Sequence, residues 1–203
     1  MSREFHRSVI WGFFAHKTWL WGVLVCTISL AFYLGCTSDP PLSQEAMTFR
    51  QQTLEDFERL APKLAPVLER ESQFGAAGEV IKDYLLDQYV NDRYVLGLGV
   101  LDPSGDYLVG YRIGDTAPGS IEKSGYEDMS FASFKGVDRV VSSRKIVQVP
   151  LYFQEQSVLV VGAPLVNEDR LLGIMCLSFE TENFEEEWGI SEQEFLKIDF
   201  NVK

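Results

Sequence analysis

Three apolar, strand-like runs near the C-terminal end, KIVQVPLYF (145–153), SVLVVGAPLV (157–166) and LLGIMCLSFE (171–180), are joined by connections of only three and four residues. Parallel neighbours need a crossover of about a dozen residues or more, whereas antiparallel strands can be joined by a tight turn. These runs are therefore expected to pair antiparallel. Two further runs, YVLGLGVLD from Tyr94 and YLVGYRIG from Tyr107, flank Pro103-Ser104-Gly105-Asp106. Pro and Gly stand there where turns use them, which predicts a second hairpin. Residues 114–145 are polar and Gly-containing with one brief apolar interval, MSFASF. They are expected to form loops and a short helix outside the sheet, which leaves a sheet of about five strands.

Upstream, the period changes. From about Glu45, Leu54, Phe57, Leu60, Ala61, Leu64, Val67 and Leu68 recur at three- and four-residue spacing, the signature of one apolar helix face. Pro62 and Pro66 fall inside this run and predict a kink or a division into two helices, because each ring removes a donor and crowds the preceding turn. Gln73–Gly78 reads as a break, and a second helix is expected from about Glu79 to Val90. Helices segregated to one side of an antiparallel sheet define an α+β domain. The acidic stretch Glu180–Glu187 reads as a solvated turn or helix end that opens a short tail.

The first 36 residues have a different character. Thr18–Gly35 carries no charge, Arg3, Arg7 and Lys17 precede it, and the next basic residue is Arg50. That asymmetry places the N-terminus in the cytoplasm and exports the remainder of the chain. The run ends in Leu34-Gly35-Cys36, and Gly before Cys at the end of an apolar segment resembles a bacterial lipoprotein signal. Tyr33 and Leu34 depart from that pattern. Two fates of the segment stay open, lipidation at Cys36 after cleavage and an uncleaved anchor helix. Both give a membrane-anchored body on the exported face, periplasmic in a Gram-negative cell. The expected organisation is an anchor over 1–36, a Pro- and Ser-rich stalk over 37–44 and one domain over 45–203.

Charge and residue usage remove several functions. The 203 residues hold 18 Lys+Arg against 30 Asp+Glu, and a net charge of −12 repels nucleic acid phosphates. Both histidines, His6 and His16, precede the exported body, so the body lacks the usual general base and the imidazole that zinc sites favour. No Gly-x-Ser-x-Gly elbow, phosphate loop or Cys-x-x-Cys-His is present. Asp102, Ser104 and Asp106 alternate as in a calcium loop, but the twelfth position from Asp102 is Ile113 where that loop needs Glu. A turn whose Asp caps its own backbone accounts for the same residues. Cys176, within an apolar strand, reads as a buried structural thiol. No enzyme activity and no cofactor are expected.

The ordered set YVLGLGVLDPSGDYLVGYRIG, VQVPLYF, SVLVVGAPLV, NEDR and LLGIMCLSFE, placed after an export signal, resembles a Cache domain, the extracytoplasmic PAS-like sensor module of bacterial receptors. The Asp102-Pro103-Ser104-Gly105 turn, Ala163-Pro164 and Gly173 carry the likeness, over roughly residues 45–180. It implies a PAS-like fold and small-molecule recognition without catalysis. The Arg-x-Trp-aromatic run of amino-acid-binding members is missing, since the corresponding stretch is GYEDMSFASFKG. Cache sensors commonly continue through a second span into a transmitter, and this chain ends at Lys203. Signalling through a separate partner protein is therefore expected, with an envelope docking protein that binds no ligand as the first alternative and a carboxylate-dependent hydrolase as the second.

By strand alternation Tyr107, Val109 and Tyr111 share one face, and Leu108, Gly110 and Arg112 the other. If the 114–145 excursion closes over the sheet as the resemblance implies, its residues face a cavity there. The candidate site is then Arg112, Arg139 and Arg144, holding an anionic group of a small organic ligand, with Tyr126, Phe134 and Tyr152 as apolar walls.

Overall fold

Helix α1 (Gln44–Leu68) shows how the proline positions are accommodated. It runs unbroken through Pro62 and Pro66, in place of the expected kink or division. Both prolines lie four residues apart on the exposed face, so the carbonyls their rings leave unbonded face water rather than the core. In this computed structural model, residues 41–202 are described apart from 71–73, 92, 115, 116, 118, 128, 154 and 155. The proposed anchor, with Cys36, lies outside the described residues, as does the first half of the stalk. Among the described residues no helix is long and apolar enough to cross a membrane. Ser43 caps α1 by accepting a hydrogen bond from the Ala46 amide at 3.0 Å, and Leu42 already packs on the core.

Helix α2 (Phe74–Val90) begins five residues before its expected start and absorbs Gly75 and Gly78. Gly78 has a packing reason: a Cβ there would stand 3.0 Å from the Tyr111 ring, so its absence lets the helix lie close on the sheet. The sheet consists of β1 (Gly97–Leu101), β2 (Tyr107–Ile113), β3 (Ile121–Lys123), β4 (Val147–Phe153), β5 (Gln156–Asn167) and β6 (Arg170–Glu180). Their order is β3-β2-β1-β6-β5-β4, and every described pairing is antiparallel. The predicted hairpins are present. The strand count is six rather than five, because the excursion, expected to lie wholly outside the sheet, contributes β3 as an edge strand on β2. Pro150 sits in the opposite edge strand β4, where a missing amide donor is tolerated.

The two faces bury different things. Leu98, Val100, Leu159, Val161, Leu177 and Phe179 face α1 and α2 and form the main core. A smaller cluster around Leu101, Val140, Val147 and Ile174 lies on the other face beneath α3 (Lys135–Ser143).

The C-terminal segment is the largest departure from expectation. Where the sequence suggests only a short tail, α4 (Thr181–Trp188), α5 (Glu192–Phe195) and the residues around them bury Phe184, Ile190, Phe195, Ile198 and Phe200, while Glu182 and Glu185–Glu187 stay solvated. The segment is also stitched down by polar contacts. Glu194 Oε1 accepts from the Ser43 amide at 2.7 Å, Gln148 Nε2 donates to the Leu196 and Ile198 carbonyls, and Asn201 brackets the Ile146 amide and carbonyl at 2.9 and 3.0 Å. Arg50 donates to the carbonyls of Asp199 and Val202. It thus covers the β4 face opposite α3 and reaches the N-terminus of α1.

Candidate functional site

The cavity between α3 and the sheet is hollow because the strands present so little there. Cross-strand register aligns Arg112, Gly97, Ser178, Val160 and Val149 in one row, and Gly110, Gly99, Cys176, Gly162 and Val147 in the next. Gly97, Gly99 and Gly162 border the resulting depression, and Gly110 beside them makes room for the Tyr107 side chain. The roof comes from Phe131, Phe134 and α3, whose Val137 and Val140 point inward with Gly136 beside them. The space between floor and roof is about 120 Å³.

The turn after β1 positions this roof. Asp102 Oδ1 accepts from the Ser104 and Asp106 amides at 2.8 and 2.9 Å, the self-capping expected of it. Burial works to raise its carboxyl, but the Ser104 hydroxyl and the Asp106, Ser104 and Gly105 amides outweigh that and hold it below the usual carboxylate range. Gly105 adopts φ 92°, and its carbonyl accepts from the Phe131 amide at 2.7 Å. A Cβ at Gly105 would meet the Ala132 amide nitrogen at 2.7 Å. The turn and the roof are therefore docked backbone to backbone, and only glycine fits.

A bulge corrects the expected sharing of faces in β2. Val100 pairs with Val109 but Leu101 pairs with Tyr107, so Leu108 is the extra residue and the alternation reverses across it. Tyr111 stays on the helix face, with Lys82 Nζ 4.8 Å from its ring centre, while Tyr107 swings into the cavity. There its hydroxyl hydrogen-bonds the Ser124 hydroxyl, and its ring meets Tyr126 edge to face at 6.4 Å. Burial raises the Tyr107 phenol above its ordinary range, so it stays protonated.

Of the six residues proposed from sequence, the structure brings together three, Arg112, Tyr126 and Phe134, at the cavity. Arg112 carries the charge on this lining, and its Nη2 lies 3.8 Å from Glu122 Oε2 on the adjoining strand. Three stand elsewhere. Arg139 is on the exposed face of α3, opposite Val137 and Val140, and borders a separate shallow depression with Lys145 and Asn201. Arg144 ends α3 in the left-handed conformation with its side chain exposed. Tyr152 points away from the cavity, because β4 turns Val147, Val149 and Leu151 inward and alternates Gln148, Pro150 and Tyr152 outward. It is 67% exposed and donates to Glu192 Oε1 at 2.7 Å.

The residues that sequence reasoning passes over are Tyr107, Ser124 and the floor glycines. Gly97-Leu98-Gly99 holds a usable signal, since two glycines two apart share a strand face. Tyr107 and Ser124 do not, because the bulge and the fold of the excursion bring them there.

Cys176 lies in this floor. Burial pushes its thiol up to about 12. A thiol raised so far holds little thiolate near neutral pH, and the greater nucleophilicity of a more basic thiolate recovers only part of that loss. With Cys26 and Cys36 replaced by Ser, Cys176 is expected to react with an aromatic disulfide reagent at least about tenfold slower in the folded protein than in denaturant. Equal rates would show the floor open to solvent.

Among the described residues no group of three His, Cys, Asp or Glu side chains could hold a metal ion. No protein-family model and no curated protein matches the sequence. Solved structures do match. The domain of a sensory box/GGDEF family protein from Vibrio parahaemolyticus superposes with a TM-score of 0.58 at 11% identity, covering 74% of this chain and 60% of that one. The extracellular domain of the histidine kinase vpHK1S-Z8 gives 0.56 at 12%, covering 74% and 57%. The ligand-binding domain of the Campylobacter jejuni chemoreceptor Tlp3, in complex with L-valine, gives 0.54 at 13%, covering 72% and 58%. The chain spans about three fifths of the length of these domains. With its six-stranded antiparallel sheet, its helices on one face and an excursion roofing the other, the described body has the PAS-like, Cache-type fold that these solved domains share.

Proposed function

We propose that this protein is a ligand-binding sensory module, anchored to a membrane through its N-terminal segment and facing outward, which recognises a small organic molecule without transforming it. The observation that carries this reading is the hollow between the glycine floor and the α3 roof, on the sheet face that the C-terminal segment leaves to the excursion. A sheet built only for docking gains nothing from Gly97, Gly99 and Gly162 on a cavity lining, since each forfeits packing and weakens its strand. Among the described residues the cavity lining holds no Asp, Glu, His or Lys, so none of these brings to it the pair of carboxylates or the base that hydrolysis would need. The occupant would pass its signal to a separate signalling protein.

A thermal-shift screen tests the reading. A ligand at one hundred times its Kd stabilises the folded state by about 2.7 kcal/mol, which for a chain of this size raises Tm by about 5–10 °C. The shift should vanish when Gly162 is replaced by Val. A hit whose shift survives that replacement binds elsewhere, and a broad library with no hit favours the docking alternative.

A further inference from the structure

The chemistry of the lining narrows what can enter. The floor and walls are mostly hydrocarbon, with Leu101, Val147, Val160 and Ile174 around the glycines, the Cys176 thiol among them and the Ser178 hydroxyl already donating to the Gly97 carbonyl at 3.2 Å. Tyr107, Tyr126 and Phe131 form a continuous aromatic side, their rings edge to face at 6.4 and 6.1 Å. Arg112 stands at the margin, its side chain 35% exposed, and already faces the Glu122 carboxylate. An entering carboxylate would have to shed its water in an apolar space and compete with Glu122 for one guanidinium. A zwitterionic amino acid would need, in addition, an acid for its ammonium, and among the described residues the lining has none.

A neutral ring faces none of these costs. The space of about 120 Å³ is close to the roughly 150 Å³ apolar cavity that takes up benzene. The Tyr107 and Ser124 hydroxyls bond each other, which uses one of their two protons and leaves one donor and spare lone pairs for a single uncharged polar group. Burial keeps the Tyr107 phenol protonated and hence uncharged. We propose that the cavity between α3 and the glycine floor selects a neutral, predominantly apolar molecule about the size of a monocyclic aromatic, with at most one hydroxyl or carbonyl directed to the Tyr107–Ser124 pair. This rests on the ligand-binding reading above and replaces the anionic ligand that the sequence suggests.

The test uses the full chain in lipid nanodiscs and fluorine NMR of four probes: fluorobenzene, 4-fluorophenol, 4-fluorobenzoate and 4-fluoro-phenylalanine. The neutral pair is expected to bind saturably, at least tenfold more tightly than the charged pair. Gly162→Val should weaken that binding at least tenfold. A Cβ at Gly162 meets Ile174 and Val140 at an ordinary 3.5 and 3.6 Å, so the strand can accept the residue while its methyls occupy the cavity. Should that variant not fold, Cys176→Leu, its cross-strand neighbour on β6, plugs the same floor. Preferential binding of 4-fluorobenzoate or 4-fluoro-phenylalanine, lost in the plugged variant, would overturn the neutral class yet leave a small-molecule site standing. No saturable binding by any probe overturns the neutral class outright. Neutral binding that the plugged variants retain, after both are shown to fold, would place the ligand outside this cavity and overturn the proposal.

Discussion

Phe49→Ala is expected to lower the melting temperature by roughly 6–20 °C. Phe49 is wholly buried in α1, and its ring meets five others, Phe179, Phe184, Trp188, Phe195 and Phe200, at centroid distances from 4.9 to 6.2 Å. Those rings come from β6, α4, α5 and the residues beyond, so this one side chain joins the first helix to the end of the chain. Truncating a buried Phe costs about 3–5 kcal/mol, through lost transfer free energy and an unfilled cavity. Each kcal/mol moves Tm by about 2–4 °C in a chain of this size. The edge-to-face geometry of most of these pairs adds to what the area alone supplies. The check is thermal unfolding followed by near-ultraviolet circular dichroism. A drop below 3 °C would mean that the C-terminal segment is not packed on α1 as described.

That aromatic cluster also marks where sequence reasoning stops short. The strands are legible because their signals are local: β-branched runs, and connections too short for a crossover. The C-terminal segment carries no such signal. Its acidic run Glu185-Glu186-Glu187 is solvated as composition implies, but Phe184, Phe195, Ile198 and Phe200 are spaced too irregularly to show one helical face. What buries them is the surface that α1 and the sheet create, a tertiary fact. Edge strand β3 is three residues long, within the length where periodicity says nothing, and its place is fixed by pairing with β2. The site divides the same way. Arg112 is legible from strand alternation, but the extra residue Leu108 reverses the face of Tyr107, and the position of Arg139 depends on which side of a nine-residue helix meets the sheet. Basic residues clustered in sequence suggest convergence on a ligand. On α3 they do the opposite, because its valines claim the inward face.

The remaining large effect concerns the buried carboxylate beneath α1 and α2, and Asp56→Ala is expected to cost about 2–4 kcal/mol. Asp56 is only 6% exposed, and its Oδ2 accepts from the Tyr84 hydroxyl at 2.9 Å. Arg59 Nη2 donates to Oδ1 at 3.1 Å, and Arg93 Nη1 lies 4.0 Å from the same oxygen. Both guanidiniums are about two fifths exposed and can recover water, whereas the Tyr84 hydroxyl is buried and cannot. Orphaning it costs about 1–3 kcal/mol, to which the lost charge-assisted bonds add. Asp56→Asn retains an acceptor for Tyr84 and should lose less. The pH dependence separates the contributions. Burial raises the Asp56 carboxyl above its ordinary value, against the opposing pull of the Tyr84 hydroxyl, Arg59 and Arg93. A carboxyl raised on folding binds its proton more tightly in the native state. Its contribution is therefore complete below the unfolded value near 3.8 and declines as pH rises through the folded one. The stability gap between wild type and Asp56→Asn, measured by urea unfolding, should accordingly narrow from pH 4 to pH 7. A gap that widens over that range would mean that the two arginines hold the carboxylate ionised more strongly than burial opposes it, and would reverse the sign assigned to this group.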